Sequence, residues 1–252
     1  MLPETYRMVA EREDTYWWQV ARRAMSIRLL RQSRIPRGGR WLDLGCGPGS
    51  NLLLSASFAG DLSVGLDLSP IALSIASLKK PQARLVRADL NRALPFADAA
   101  FDAVTTFNVL YHDWITNEAS IIAEVRRVLR PGGVFLITEP AFPILTRQMD
   151  IAAMGQRRYR LSNIVQFCSA AGLHMERASY FTSFGFPLLL AMKPARLLMS
   201  AGQPKTSADM KPLNPIANNL LLWLSAVEAC AIAAGFRIPF GTTLLCLARK
   251  VN

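Results

Sequence analysis

Three glycines at alternate positions, Gly45, Gly47 and Gly49, follow the short apolar run from Trp41 to Leu44 and constrain this chain more than any other stretch. The run is too short for a helix and reads as a buried strand. It breaks into a tight turn, where missing β-carbons let a ligand lie against the backbone. A helix starting near Ser50 would aim its unpaired amide groups at whatever the turn holds. Asp43 falls inside the strand's apolar run. A buried carboxylate is costly unless satisfied, so a nearby cation or hydrogen-bond donors are expected. A dinucleotide fingerprint, G-x-G-x-x-G, asks for a third glycine three places after the second. Counted from Gly45 and Gly47, that place is Ser50, and the fingerprint fails there.

The chain's 252 residues make room for one large α/β domain, or for a domain with a sizeable elaboration, and a 51% hydrophobic share supplies the core. Charged residues recur every few positions through Arg40, unlike a signal peptide, so a cytoplasmic location is expected. Cys46, Cys168, Cys230 and Cys246 share no metal-like spacing and read as reduced, structural cysteines. With only His112 and His174 in the chain, no metal is expected. The formal charge of +11 is uneven: residues 1–140 carry 17 Lys/Arg against 14 Asp/Glu, and residues 141–252 carry 12 against 4, a net of +8. That excess suits an anionic substrate, peripheral contact with an anionic membrane at its inner face, or simply a solubilising surface. Nucleic acid is not an expected partner, because the cations are scattered and no stripe of aromatic and basic residues occurs.

Residues 4–34 read as one or two amphipathic helices before the turn at Pro36-Arg37-Gly38-Gly39, and within them lies the aromatic patch Tyr16-Trp17-Trp18 followed by Arg22-Arg23. The rings could simply pack a helix on the sheet, or they could form a lid. After the glycine turn come a short helix from Asn51 to Phe58 closed by Gly60, then a strand from Leu62 to Asp67. Asp67 follows Asp43 by 24 positions, about the interval at which an acid meets ribose hydroxyls in nucleotide folds. Ser69-Pro70 caps the next helix, and the stretch from Ala83 to Leu90 is a third strand with Asp89 near its end. A fourth strand spans Ala103 to Phe107, and the loop from Asn108 to Asp113 stands at its carboxyl end, where open α/β sheets bind ligands. Glu118 to Leu129 has a helical stripe, and Val134 to Thr138 is the next strand. Farther on, a helix to Ala171 and a strand from His174 to Phe181 precede about sixty residues before a last, antiparallel edge strand from Thr242 to Ala248. A hairpin would need few of those sixty residues. They include Phe186 to Met192, a polar stretch near 202–211 and an apolar helix from Asn218 to Ala234. These pack the core, cover an apolar acceptor or dip into a membrane. Arg157, Arg158, Arg160, Lys193 and Arg196 are candidates for phosphate or carboxylate groups.

Asp43-x-Gly45-x-Gly47-x-Gly49, Asp67, Asp89 and Leu129-Arg130-Pro131-Gly132-Gly133 occur in the order and spacing of the class I S-adenosylmethionine-dependent methyltransferases, which this chain resembles over about residues 1–182 and 242–250. The resemblance is to bacterial small-molecule members of the type 11 kind. It implies a doubly wound, mostly parallel seven-stranded α/β sheet. The divisions expected are a helical cap at 1–38, a cofactor domain at 39–182 and 242–252, and a helical insert at 183–241. It also implies S-adenosylmethionine as donor and S-adenosylhomocysteine as product. The expected cofactor residues are Asp43, Gly45, Cys46, Gly47, Gly49, Asp67, Leu68, Asp89, Leu90, Asn108 and Val109. In the family the position of Asp89 receives the adenine amino group. A similar Trp-rich, Arg-Arg stretch precedes the turn in many of these enzymes, so Trp17 and Arg22 are expected over the cofactor, the arginine on its methionyl carboxylate.

For catalysis the candidates are His112 as a base for a hydroxyl nucleophile, Glu139 to orient an acceptor, and Tyr111 to hydrogen-bond it. His112 could equally be a packing histidine. The loop Asn108-Val109-Leu110-Tyr111 lacks the Asn/Asp-Pro-Pro-Tyr/Phe pattern of DNA amino-methylating enzymes. The expected function is methylation, more O- than N- or C-directed, of a small-molecule, glycan, secondary-metabolite or lipid-linked acceptor. A protein of this fold that binds S-adenosylmethionine without transferring methyl is the alternative, and an NAD-dependent oxidoreductase is disfavoured by Ser50. The oligomeric state is left open.

Overall fold

The computed structural model describes residues 3–36, 38–57, 63–146, 150, 154–192 and 213–251. Seven strands form a single sheet in the order β3-β2-β1-β4-β5-β7-β6. The strands are β1 (Trp41–Leu44), β2 (Ser63–Asp67), β3 (Arg84–Arg87), β4 (Phe101–Phe107), β5 (Leu129–Pro140), β6 (Leu173–Phe181) and β7 (Thr243–Lys250). Pairing from β3 through β5 is parallel. Every residue of β1 and β4 is buried, as strands sandwiched between helix layers must be.

The helices are α1 (Pro3–Arg12), α2 (Trp17–Gln32), α3 (Pro70–Lys79), α4 (Glu118–Val128), α5 (Leu161–Ala170), α6 (Gly185–Ala191) and α7 (Pro215–Ala233). A 3-10 helix, Ser50–Ser57, follows the glycine turn. Local chemistry sets the starts: Ser69 Oγ accepts from the Ala72 amide before Pro70 at α3, and Asn117 Oδ1 accepts from the Ser120 amide at α4. Two apolar clusters fill the two faces of the sheet. One joins Ile121, Ile122 and Val125 of α4 and Ile164 of α5 to Leu42, Val104 and Phe135. The other joins Met25 and Leu29 of α2 and Ile232 of α7 to Trp41, Leu136 and Leu245.

The sheet corrects one sequence expectation. β7 is antiparallel but is not an edge strand, since it pairs with β5 on one side and β6 on the other. Its first six residues are all buried, which suits an interior strand, whereas the edge strand β6 exposes His174 and Arg177. The insert between β6 and β7 contains α6 and α7, and Glu228 of α7 accepts hydrogen bonds from the Thr182 and Ser183 amides at its entrance. Gly60, Leu62, Lys193, Arg196 and the 202–211 stretch lie outside the described residues.

Candidate active site

β1 ends at Leu44 and the chain turns through Gly45 at a φ of +67°. A β-carbon at Gly45 would fall 2.4 Å from Val109 Cγ2, so the turn and the loop after β4 approach as closely as backbone allows. Gly49, at φ +92°, lies against Ala76, where a β-carbon would meet the neighbouring methyl at 2.8 Å. These two glycines bring the turn, α3 and the β4 loop together.

Asp43 is fully buried and finds both kinds of partner that its burial demands. Its Oδ1 accepts from Thr105 Oγ1 at 2.7 Å, and Thr105 in turn accepts from Trp41 Nε1 at 2.9 Å. The Arg22 guanidinium supplies the nearby positive charge, but Asp43 Oδ2 has no hydrogen-bond partner among the described residues. Burial pushes the Asp43 carboxyl up to about 7, with the Thr105 bond and Arg22 opposing it. Arg22 is itself buried, and desolvation lowers its pKa to about 10. Its Nη2 donates to Gln19 Oε1 at 2.8 Å and Asn51 Oδ1 at 3.3 Å, and its Cζ stands 5.4 Å from the Trp18 ring and 4.7 Å from the Phe107 ring. Among the described residues, its Nε and Nη1 have no partners.

Asp67 closes the turn from the β2 side, accepting from the Gly47 amide at 2.9 Å and the Ser69 amide at 2.8 Å. Burial raises its carboxyl above the usual range, and those amides hold it down. A cleft of about 30 Å³ is lined by Gly45, Asp67, Leu68, Asp89, Leu90 and Val109. It has room for about one water molecule, so the walls must part to admit a nucleoside. Trp114 also lines it, a residue the sequence reading missed. The available signal was an aromatic in the loop at the carboxyl end of β4. Tyr6 of α1 was missed as well. It is buried beside Ser69 and Asp67, with burial the main cause of its raised pKa. Lys79 Nζ ties this cap helix down by donating to the Ala10 carbonyl, Glu13 Oε1 and Ser50 Oγ.

The other expected site residues fall into two groups. Cys46 turns its thiol into the core, where it limits the space at Gly65, so only its backbone borders the turn. Asp89 Oδ1 accepts from the Asn91 amide and Nδ2, which leaves Oδ2 toward other partners. Trp17 contacts the insert, through its amide to Asn218 Oδ1 at 3.2 Å and its ring on Phe184 at 5.8 Å. Asn108 adopts φ +57°, a conformation asparagine tolerates, and turns the chain off β4; its Oδ1 has no partner among the described residues. Beyond it, His112 is buried between Tyr111, at 4.2 Å, and Trp114, at 3.9 Å. The Tyr111 ring stands against Gly155, where a β-carbon would come within 2.1 Å. Glu139, at the end of β5, is fully buried and its Oε1 accepts from the Val109 and Leu110 amides at 3.0 and 2.9 Å. It clamps the loop that carries Asn108 and His112. Burial pushes its carboxyl up to about 8.

Among the arginines suggested for an anionic acceptor, Arg158 is committed to Asp150 and the Ala141 carbonyl, and Arg157 to Glu118 and the Ile115 carbonyl. Arg160 is exposed. An aromatic run links the residues after β5, β6 and the insert: Phe142 stacks on Tyr180 at 4.6 Å, and Phe186 meets Phe142 at 5.1 Å and Phe240 at 5.6 Å.

Asp43 and Glu139 together make stability pH-dependent. Their folded pKa values, about 7 and 8, lie above the ordinary carboxylate range. Between about pH 4 and 8 these two carboxyls therefore hold more protons in the folded chain than in the unfolded one, and their contribution to stability falls as pH rises. Thermal scans should show a Tm at pH 8.5 below that at pH 5.5, by roughly 5 °C. A Tm that is flat or rises over that interval would contradict protonated buried carboxyls.

A family model described as a methyltransferase domain matches residues 42–137. An uncharacterised methyltransferase of Synechocystis sp. is 40% identical over 110 residues, 44% of this chain and 51% of that protein. The chain therefore spans about half the length of that relative. A protein of Mycolicibacterium smegmatis described as a probable S-adenosylmethionine-dependent methyltransferase is 28% identical over 183 residues, covering 69% of this chain and 68% of its own. A Haloferax volcanii chain solved in complex with the Trm112 methyltransferase activator superposes with a TM-score of 0.62 at 18% identity, over 98% of both chains, which shows a shared fold.

Proposed function

We propose that the chain is a class I S-adenosylmethionine-dependent methyltransferase, as the methyltransferase-domain match over residues 42–137 supports, and that it transfers a methyl group to an oxygen of a small-molecule, glycan or secondary-metabolite acceptor. The observation that carries this reading is a set of buried polar atoms of both signs beside the glycine turn that have no partner among the described residues. Arg22 Nε and Nη1 are donors without acceptors, and Asp43 Oδ2 is an acceptor without a donor. An amino-acid zwitterion supplies the missing partners, its carboxylate to Arg22 and its ammonium to Asp43. Asp67 offers a carboxylate to the two ribose hydroxyls, and Leu68, Leu90, Val109 and Trp114 offer the apolar walls an adenine ring needs. These residues fit S-adenosylmethionine.

Bound there, the cofactor supplies a sulfonium methyl group that is already activated for transfer. The protein's work is then to align the acceptor and exclude water. In this reading Glu139 positions the Asn108–His112 loop, His112 takes the proton from the acceptor hydroxyl, and Tyr111 holds the acceptor by a hydrogen bond. The aromatic run through Phe142 and Phe186 supports an acceptor with an apolar portion. A lipid-linked acceptor is the second reading, favoured by the apolar residues that the insert leaves in solvent.

Calorimetric titration with S-adenosylmethionine, S-adenosylhomocysteine and NAD tests the cofactor assignment. Micromolar binding of the first two is expected, weakened about tenfold or more in Asp67→Ala through loss of the hydroxyl contacts. Preference for NAD, or equal affinities in the variant, would overturn the assignment. Methyl transfer from labelled donor into a cell extract, lost in His112→Ala and retained in His112→Gln, would contradict the base role of His112.

A further inference from the structure

Helix α7 leaves an unusual face in solvent. Ile216, Leu220, Trp223 and Val227 follow one another at helical spacing and are 79%, 55%, 62% and 51% exposed. Phe236, just past the helix end, is 70% exposed, and Leu188 on α6 is 60% exposed. Single exposed apolar residues are ordinary on a soluble protein, but a continuous stripe with a central tryptophan marks an interaction surface. The opposite face of α7 is fixed in the fold. Ser225, Ala229, Ile232 and Ala233 are buried, and Glu228 accepts from the Thr182 and Ser183 amides. At 19 residues α7 is long and apolar enough to cross a bilayer. Its packed face and its internal carboxylate instead hold it along the protein surface.

We propose that this face seats the protein on an anionic membrane surface, with α7 lying in the interfacial plane and Ile216, Leu220, Trp223 and Val227 inserted below the headgroups. Charge selects this occupant over a second copy of the chain. Arg28 is exposed beside the helix, donating to Cys230 Sγ at 2.8 Å, and exposed Arg237 follows its carboxyl end. The one acid on α7, Glu228, is turned into the protein. An isologous dimer through this stripe would bring one basic rim against the other, whereas acidic lipid headgroups neutralise it. A tryptophan at mid-stripe suits the interface, where its ring is apolar and its N–H is wet. The arrangement also places the insert, and the Trp17 contact between cap and insert at Asn218, next to the bilayer. An acceptor with a lipid portion would then enter from the membrane side.

The proposal does not depend on the methyltransferase reading, and its test reads vesicles rather than turnover. Full-length protein is sedimented with vesicles of phosphatidylglycerol and phosphatidylcholine, and with phosphatidylcholine alone. Binding is expected to the anionic vesicles and to weaken as salt rises. Leu220→Ser/Trp223→Ser should weaken it about tenfold or more by removing inserted apolar surface, and Arg28→Glu/Arg237→Glu should weaken it without changing binding to phosphatidylcholine. The replaced side chains are mostly in solvent, so melting curves and S-adenosylhomocysteine affinity should match the parent protein. Vesicle binding that is nil, or unchanged in the serine variant, overturns the proposal. A concentration-dependent dimer in sedimentation velocity that the serine variant abolishes, with no vesicle binding, would give the face to a second copy and overturn it too.

Discussion

Glu139→Ala is expected to cost roughly 3–5 kcal/mol of stability, because two buried amides lose their acceptor at about 1–3 kcal/mol each and a small cavity opens behind them. The amides are those of Val109 and Leu110, both bonded to one oxygen of a fully buried carboxyl group. For a chain of this size the loss corresponds to a Tm lower by roughly 10 °C. Glu139→Gln should behave differently. At neutral pH the carboxyl is held largely protonated by its burial, with a pKa of about 8, so glutamine is close to its neutral isostere. Its carbonyl oxygen can still accept from both amides. Melting curves of the two variants therefore separate the clamp from its charge. Turnover separates the clamp from the chemistry: a glutamine variant that folds and transfers methyl at near the parental rate leaves Glu139 as a positioning residue. A glutamine variant that melts normally but turns over about a hundredfold more slowly, an increase of about 2.7 kcal/mol in barrier, would mean that a Glu139 proton moves in the reaction.

Much of this arrangement was legible in the residues, and the parts that were not share a physical cause. The parallel core could be read because the strands carry local punctuation: glycines after Leu44, an acid at Asp67, and a Pro-Gly pair at 131–132 just before the stretch of β5 that pairs continuously with β4 from Val134. Such signals lie within a few positions of the element they define. The interior place of β7 depends instead on which strand pairs last, and a run such as Leu244-Leu245-Cys246-Leu247 fits an edge or a centre until β6 is laid beside it. The same limit applies within the site. The spacing from Asp43 to Asp67 was visible because one crossover fixes it, but Tyr6 reaches Ser69 across more than sixty residues with only an aromatic on a helix to announce it. Glu139 read as a group facing an acceptor, since it ends a strand on the ligand side of the sheet. Its hydrogen bonds to the neighbouring loop are a tertiary fact that a strand-end position does not announce. Cys46 shows the complement: a residue inside the motif whose side chain faces the core, so that the motif there is a property of the backbone.

Arg22 gives the sharpest separation between holding a ligand and holding the fold. Its guanidinium is buried with two nitrogens unpartnered, between the rings of Trp18 and Phe107, and near both Asp43 and Glu139. A buried cation in that condition is costly, and a ligand carboxylate at Nε and Nη1 would offset the cost by forming charge-assisted, forked hydrogen bonds. Arg22→Met keeps most of the volume between the rings and removes the charge. Affinity for S-adenosylhomocysteine should fall about a hundredfold, equivalent to about 2.7 kcal/mol. Affinity for 5′-methylthioadenosine, which has the same nucleoside but no carboxylate or ammonium, should be unchanged. Calorimetry with both ligands measures the difference directly. If the two affinities fall together, Arg22 acts by packing the cap against β4, and the zwitterion must be held elsewhere. If only the first falls, the arginine in the Trp-rich stretch and the acid inside β1 form one site, assembled from segments twenty residues apart because neither charge is fully satisfied without the ligand.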